Sequence, residues 1–282
     1  LLRNGVDTVF GIPGVQLAPL FDAFPHAKNR IRVVHNRHEQ GAGYMALGYA
    51  QATGRVGTCV VVPGPGLLNA AAAISTGYSL NSQMLCIVGQ IPSHLIGKGT
   101  GQLHELPDQL AIAEGLTKWA KRMDAPDDVP GTMAEAFRQL NTGRRRPVEV
   151  EMALDIMKAE SDVSPVDPPH DYDVLQPDPD RIEEVAKLLG EAENPLIFAG
   201  GGAIDAGGPL LTLAEMLEAP VVMSRSALGA VDSRNPLALT PPHGHKLWKD
   251  ADVVLGVGTR LVPMIPAWGT DNCLKQVRID VD

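Results

Sequence analysis

Two stretches of this 282-residue chain are apolar nearly throughout: Gly57–Val62 (GTCVVV) and Met84–Gly89 (MLCIVG). A strand with one face in water alternates apolar and polar side chains. A run without alternation is buried on both faces, as in the central strands of a parallel sheet covered by helices. The flanking sequence supplies both strands and helices. Thr8–Phe10, Ile31–His35 and Val148–Met152 read as further strands; Leu17–Phe24, Gly41–Thr53, Leu68–Leu80 and Val129–Leu140 read as helices, and Gly5 closes a helical end over Leu1–Asn4. Strands alternating with helices predict a doubly wound parallel α/β sheet. Between Gln90 and Pro107 the chain is rich in Gly and polar residues and has no period. Loops of that length usually carry function.

A second such unit follows. Ser161 to Asp180 holds Pro165, Pro168, Pro169, Pro177 and Pro179 among Asp and Ser, and reads as a stiff extended connection. Beyond it, helices at Arg181–Leu189 and Leu210–Leu217 alternate with strands at Leu196–Ala199, Val221–Met223, Val253–Val257 and Val277–Val281, with a Gly200-Gly201-Gly202 loop after the first strand. The expected division is a first domain at 1–158, a linker at 159–178 and a second domain at 179–282. The opening LLRNGVDTVF reads as a helix tail without an initiator Met, and VRIDVD ends inside a strand, so the chain is expected to be part of a longer protein. The net charge of −9 argues against nucleic acid as the main partner. No run of about 18 apolar residues predicts a membrane span. Cys59, Cys86 and Cys273 form an odd set without metal-ligand spacing; the first two, inside apolar runs, read as reduced core residues of a cytoplasmic protein.

The chemistry is expected at the strand ends. Ligands of parallel sheets bind outside the carboxyl ends of the strands, and four successive ends carry marked sequence: GIPG, HNRHEQ, PGPG and GQIPSH. Glu39 stands where a strand passes into a helix. Alone it is either a solvated acid favoured by the helix dipole or an acid facing a site; four glycine- or proline-rich loops converging on one edge favour the second. His38-Glu39 begins like a zinc-binding HExxH, but Ala42 replaces the second His, and His104-Glu105 is followed by Pro107 and Asp108, so no metal site is expected. His35 and His38 read as surface or cap residues.

GVDTVFGIPG, RHEQGAGYMALGYAQATGR, VVPGPGLLNA and CIVGQIP, in this order and at these separations, resemble the pyrimidine-binding domain of the thiamin diphosphate-dependent, acetolactate synthase-like enzymes, a family that includes acetolactate synthase, benzaldehyde lyase and several 2-oxo acid decarboxylases. PLIFAGGGA, LEAPVV, ADVVLGVGTR and IDVD resemble, more loosely, that family's central domain of NAD/FAD-binding-like fold. The resemblance implies decarboxylation or carboligation of a small 2-oxo acid, with Glu39 as the acid that hydrogen-bonds the aminopyrimidine and favours its imino tautomer. It implies that Pro13 and Gly14 approach the thiazolium and substrate side, and that Pro63, Gly64 and Asn69 frame the pyrimidine. A plain turn at each glycine, and a helix cap at Asn69, remain the alternatives. Gln90, Gln102, His94 and His104 would border the substrate. The diphosphate and Mg²⁺ belong to a third domain whose GDG…N motif is absent here, with each site shared between subunits of a homodimer or homotetramer. Flavin-binding members carry GxRFDDR; here Gly258-Thr259-Arg260 continues as Leu261-Val262-Pro263, so FAD is not expected. The loop GKGTGQLHELPDQ departs from the synthases' FQE-type segment. A non-catalytic protein, or a flavin or nicotinamide oxidoreductase, is the alternative class.

Overall fold

A computed structural model describes residues 1–27, 30–169, 172, 175–261, 264–270 and 273–281. Val262, Pro263 and Asp282, used in the sequence reading, lie outside the described residues, as do four positions of the proline-rich stretch. The chain forms two compact units, Leu1–Val174 and Leu175–Asp282.

In the first unit the strands are β1 (Thr8–Gly11), β2 (Arg32–His35), β3 (Gly57–Val61), β4 (Met84–Gln90), β5 (Trp119–Met123) and β6 (Val148–Ala153). They form one parallel sheet in the order β2-β1-β3-β4-β6-β5. Every residue of β3, β4 and β6 is buried, whereas the edge strand β2 is only partly covered. The helices are α1 (Ala18–His26), α2 (Glu39–Thr53), α3 (Pro65–Ser79), α4 (Gln109–Leu116), α5 (Asp128–Asn141) and α6 (Leu154–Lys158). On one face of the sheet, α2, α3 and α4 pack Ala42, Ala46, Leu67, Ala70, Ile74 and Ala113 against Cys59, Val61, Cys86 and Val88. Small residues let α2 and α3 approach closely, and each fully buried Leu or Ile contributes about 1.5–3 kcal/mol. On the other face, Phe24 of α1 and Phe137 and Leu140 of α5 meet Val60, Leu85, Ile87 and Val150.

The sequence missed α4 and β5. The first part of the proline-rich stretch is tied to the first unit by hydrogen bonds from Arg3 to Asp167 and from Ser161 to Asp127.

In the second unit α7 (Pro179–Gly190), β7 (Pro195–Ala199), α8 (Gly207–Leu217), β8 (Val221–Met223), β9 (Ala238–Leu239), α9 (Pro241–Trp248), β10 (Val253–Val257), α10 (Met264–Trp268) and β11 (Lys275–Ile279) build a parallel sheet ordered β11-β10-β7-β8-β9. The stretch after β7 is a 3₁₀ turn, Gly201–Ala206, running straight into α8, which therefore starts three residues earlier than expected. The last strand also sits earlier than Val277–Val281, because its register is set by pairing Val253 with Lys275 through Val257 with Ile279.

Candidate active site

The strand order of the first unit reverses between β1 and β3, since the chain leaves β1 for β2 on one side and returns to β3 on the other. Such a switch point is where an open parallel sheet leaves a crevice at its carboxyl edge. Three of the loops singled out from sequence flank it: Ile12-Pro13-Gly14 after β1, Asn36-Arg37-His38 after β2, and Val62-Pro63-Gly64 after β3.

Glu39 is the first residue of α2. The extended His38 caps that helix, its ring accepting a hydrogen bond from the Gln40 N–H at 3.2 Å. Glu39 therefore lies at the positive end of the helix, half-buried. Asn69 donates its amide N–H to Glu39 Oε2 at 3.0 Å. Oε1 makes no hydrogen bond among the described residues. Asn69 lies inside α3, five positions beyond its N-cap Gly64, so the capping alternative does not apply. The sequence thus places the two residues 30 apart, and the packing of α2 on α3 brings them together.

Pro63 and Gly64 are buried at the start of α3. Gly64 has φ 57° and ψ −112°, a conformation reserved for glycine, and a Cβ there would stand 2.5 Å from the His104 carbonyl oxygen. Gly14 is extended, so its requirement is one of space: a Cβ would collide with the Val62 side chain. Pro13 is exposed beside it.

The loop Gly97–Pro107 is ordered by Glu105. Its carboxylate accepts N–H bonds from Gly101 at 2.7 Å, Gln102 at 2.9 Å and Thr100 at 3.3 Å, and these backbone donors hold it below the usual carboxylate range. His104 takes φ 73°, uncommon for a residue with a side chain, and its buried Nδ1 has no partner among the described residues. Gln102 and His94 are exposed. Gln90 does not reach toward this loop. It is 4% exposed, its amide oxygen accepting from the Ile91 N–H at 2.7 Å and its nitrogen lying 3.4 Å from Glu151 Oε1. The last residue of β4 points into the sheet face, and the amide is satisfied there.

Beneath the loops lies a polar lane that sequence reasoning missed. Glu149 and Glu151, two apart on β6, share the face covered by α2–α4, and both are fully buried. Glu151 receives Gln109 Nε2 at 2.6 Å and Arg122 at 3.3 Å. Burial pushes its carboxyl up, and the hydrogen bonds from Gln109 and Gln90 and the Arg122 charge oppose that rise. Glu149 has no partner for either oxygen among the described residues, and burial, reinforced by Glu151, raises it well above the ordinary carboxylate range. Cys59 and Cys86 continue the lane across β3 and β4, in register with Glu149. The detectable signal was VEVEMA: two acids at strand period inside a run that otherwise reads as core.

In the second unit Gly200, Gly202 and Gly258 pack against one another at the ends of β7 and β10, with the Gly202 N–H donating to the Gly258 carbonyl at 3.2 Å. Leu261, the first residue after Gly-Thr-Arg, is fully buried with Phe198 and Trp248. Among the described residues no group of three or more His, Cys, Asp or Glu is placed to hold a metal ion, and no helix is long and apolar enough to cross a membrane. An apolar hollow of about 570 Å³, among Leu2, Leu20, Phe24, Val129, Met133 and Val166, lies against the opposite sheet face from Glu39.

Residues 1–112 match the family described as thiamine pyrophosphate enzyme, N-terminal TPP binding domain, and residues 182–282 match its central domain. The chain is 36% identical to a probable 2-ketoarginine decarboxylase of Pseudomonas aeruginosa, over all of this chain and 51% of that protein. It is 37% identical to the acetolactate synthase large subunit of Corynebacterium glutamicum, over 90% of this chain and 42% of that protein. It is 31% identical to the isozyme 1 large subunit of Escherichia coli acetolactate synthase, over all of this chain and 51% of that protein. The chain spans about half the length of these relatives. Sheet, switch point and sequence agree: the chain belongs to the thiamine pyrophosphate enzymes and carries their N-terminal TPP-binding domain and their central domain.

Proposed function

We propose that the protein containing this chain is a thiamin diphosphate-dependent lyase or carboligase acting on a small 2-oxo acid, and that Glu39 is its catalytic acid. The observation that carries this reading is the Glu39–Asn69 pair, held at 3.0 Å beside the switch point between β1 and β3. The residues present fit an aminopyrimidine. A carboxyl group with one oxygen held by Asn69 keeps the other for a ring nitrogen, and the buried Pro63-Gly64 turn opens α3, the helix that carries Asn69. When bound, thiamin diphosphate supplies the electron sink that lets a 2-oxo acid lose carbon dioxide.

The chain's own residues orient and tune. Glu39 holds a proton between its carboxyl oxygen and ring nitrogen N1′, while Asn69 fixes its rotamer. Pro63 and Gly64 frame the ring, and Pro13 and Gly14 line the thiazolium and substrate side. Gln102 and His104, in the loop pinned by Glu105, are assigned to substrate contact; Gln90 is left out because its amide is already engaged. The diphosphate and Mg²⁺ are assigned to residues outside this chain, for which the roughly twofold greater length of the relatives leaves room. The working enzyme in this reading is a homodimer or homotetramer in the cytoplasm, in keeping with the unpaired, buried Cys59 and Cys86. The name of the Pseudomonas relative supports a 2-oxo acid substrate.

The test is carbon dioxide release from a panel of 2-oxo acids, including pyruvate and branched, aromatic and basic ones, with and without thiamin diphosphate and Mg²⁺. Release that requires the cofactor, with product analysis separating aldehyde from ligation product, supports the reading. A purified protein that binds thiamin diphosphate yet releases nothing from any acid would sink it.

A further inference from the structure

We infer that Gln109, oriented by Glu151, is a positioning residue for the cofactor site: it fixes the Pro63-Gly64 turn from beneath, and through that turn the start of α3, Asn69 and Glu39. The inference rests on the assignment of Glu39 and the Pro63-Gly64 turn to the aminopyrimidine.

Gln109 is 2% exposed, and its amide makes three hydrogen bonds. Oε1 accepts from the Gly64 N–H at 2.8 Å; Nε2 donates to Glu151 Oε2 at 2.6 Å and to the Gly89 carbonyl at 3.1 Å. The amide has one allowed orientation. The Gly64 N–H can only donate and must face the oxygen, while the Glu151 carboxylate and the Gly89 carbonyl face the nitrogen. Gln109 thereby ties the end of β4 to the turn after β3. Glu151 is itself held by Arg122 from β5 and approached by Gln90 from β4.

The turn needs such a clamp. A peptide at φ 57° and ψ −112° has no preference of its own for staying there, and a glycine samples the alternatives freely. The His104 backbone closes it from one side and Gln109 from the other. A change of the Gly64 peptide would redirect the first turn of α3 and, directly after it, Asn69, which reaches Glu39. Gln109 is thus placed to act through Gly64 and Asn69, without touching the ring.

The test uses the protein that contains this chain. A peptide covering residues 62–66 has internal amides only at Gly64 and Gly66, since Pro63 and Pro65 carry none, so hydrogen exchange there reports on Gly64 against one background amide, that of Gly66, which donates to the Pro63 carbonyl at 3.3 Å. In the wild type the Gly64 amide should exchange slowly. An amide exchanging as fast as an unprotected one would overturn the clamp without any variant. Gln109→Leu should speed that exchange and weaken thiamin diphosphate binding, titrated with Mg²⁺ present, by about tenfold, as expected for one lost buried hydrogen bond. The KM for the 2-oxo acid at saturating cofactor should not move. Glu151→Gln keeps an oxygen facing Nε2 and should stay within about threefold of wild type in affinity. Gln109→Leu binding the cofactor as tightly as wild type, or KM rising in step with the cofactor Kd, would refute the positioning role. A wild type that never binds thiamin diphosphate would instead remove the functional reading, while the exchange measurement still judges the clamp.

Discussion

The first unit ends β1 and β3 in Pro13-Gly14 and Pro63-Gly64, whose glycines sit against a valine side chain and a histidine backbone; the second unit ends β7 and β10 in glycines that sit against each other. Both places are switch points of a parallel sheet, reached by the same topological move. The cores beneath them differ as well. Every buried polar or charged side chain among the described residues, from Thr58 to Glu151, belongs to the first unit, and the second packs apolar side chains alone. Burying a polar group is costly unless it is hydrogen-bonded. Gln90, Gln109 and Glu151 are kept inside a sheet face at that cost and are bonded to one another and to the loops above. One layout therefore serves two ends. In the first unit polar groups hold loops in a set geometry; in the second the glycines let backbone fill the same place.

The largest effect expected from breaking this contrast is at Glu39. Glu39→Gln removes the proton-sharing carboxyl and should lower cofactor-dependent turnover by about 10²–10⁴-fold. Thermal stability should stay near wild type, because the side chain is half-exposed and in no core. Unchanged carbon dioxide release would return Glu39 to an ordinary helix-start acid.

Alanine at the positive-φ glycine of each switch point, Gly64 and Gly258, comes next. Gly258→Ala meets the Gly202 backbone at 2.5 Å and keeps φ at 60°. Strain of this kind costs about 1–3 kcal/mol before any collision is counted, so the urea midpoint should fall, while thiamin diphosphate affinity in the folded fraction should hold. Gly64→Ala meets the His104 carbonyl at the same distance and should lose both stability and affinity. If both variants lost affinity alike, the two switch points would not differ in the way described.

The buried carboxyl lane makes a prediction about pH. Glu149 is raised above the ordinary range by burial and by Glu151. Below the unfolded value of about 4.3 its carboxyl is protonated in both states. Above it the unfolded chain ionises while the folded chain resists, so the stability this group supplies is lost as pH rises, until Glu149 itself ionises. Glu149→Gln removes the titration. Its stability relative to wild type should improve as pH rises above the unfolded value of about 4.3 in urea titrations. Parallel curves for the two proteins would show that Glu149 is not held neutral.

How much of this was readable follows from what each feature depends on. The central strands were legible because β3 and β4 are buried at every position, and local composition alone records that. Glu39 was legible because it stands at a strand-to-helix passage with its motif intact around it. The edge strand β5, Trp-Ala-Lys-Arg-Met, was not, since its two buried residues stand three apart around Lys121 and Arg122, giving neither an apolar run nor a two-residue alternation. For α4 the signal was present, Asp108 accepting from the Ala111 N–H at 3.0 Å, but it sat directly behind Pro107 at the end of a long polar loop. Gln109 and Glu151 are separated by 42 positions, and β6 inserts between β4 and β5 although β5 precedes it in the chain. That insertion brings Glu151 next to Gln90 and Arg122 at once, and no local pattern encodes it.

The smallest effect expected is at Asn69. Its exposed amide makes one hydrogen bond, to Glu39, and removing such a bond costs about 0.5–1.5 kcal/mol. Asn69→Ala should therefore lower cofactor-dependent turnover by about two- to tenfold, with only a small fall in urea midpoint, because the bond is exposed. The more telling measurement is the double variant. If Asn69 acts only by holding Glu39, Asn69→Ala on a Glu39→Gln background should cost nothing further, because partners in one interaction are not additive. Full additivity would mean that Asn69 touches the bound ring by itself. The pair would then be two independent contacts, and α3 would enter the site directly instead of through the acid on α2.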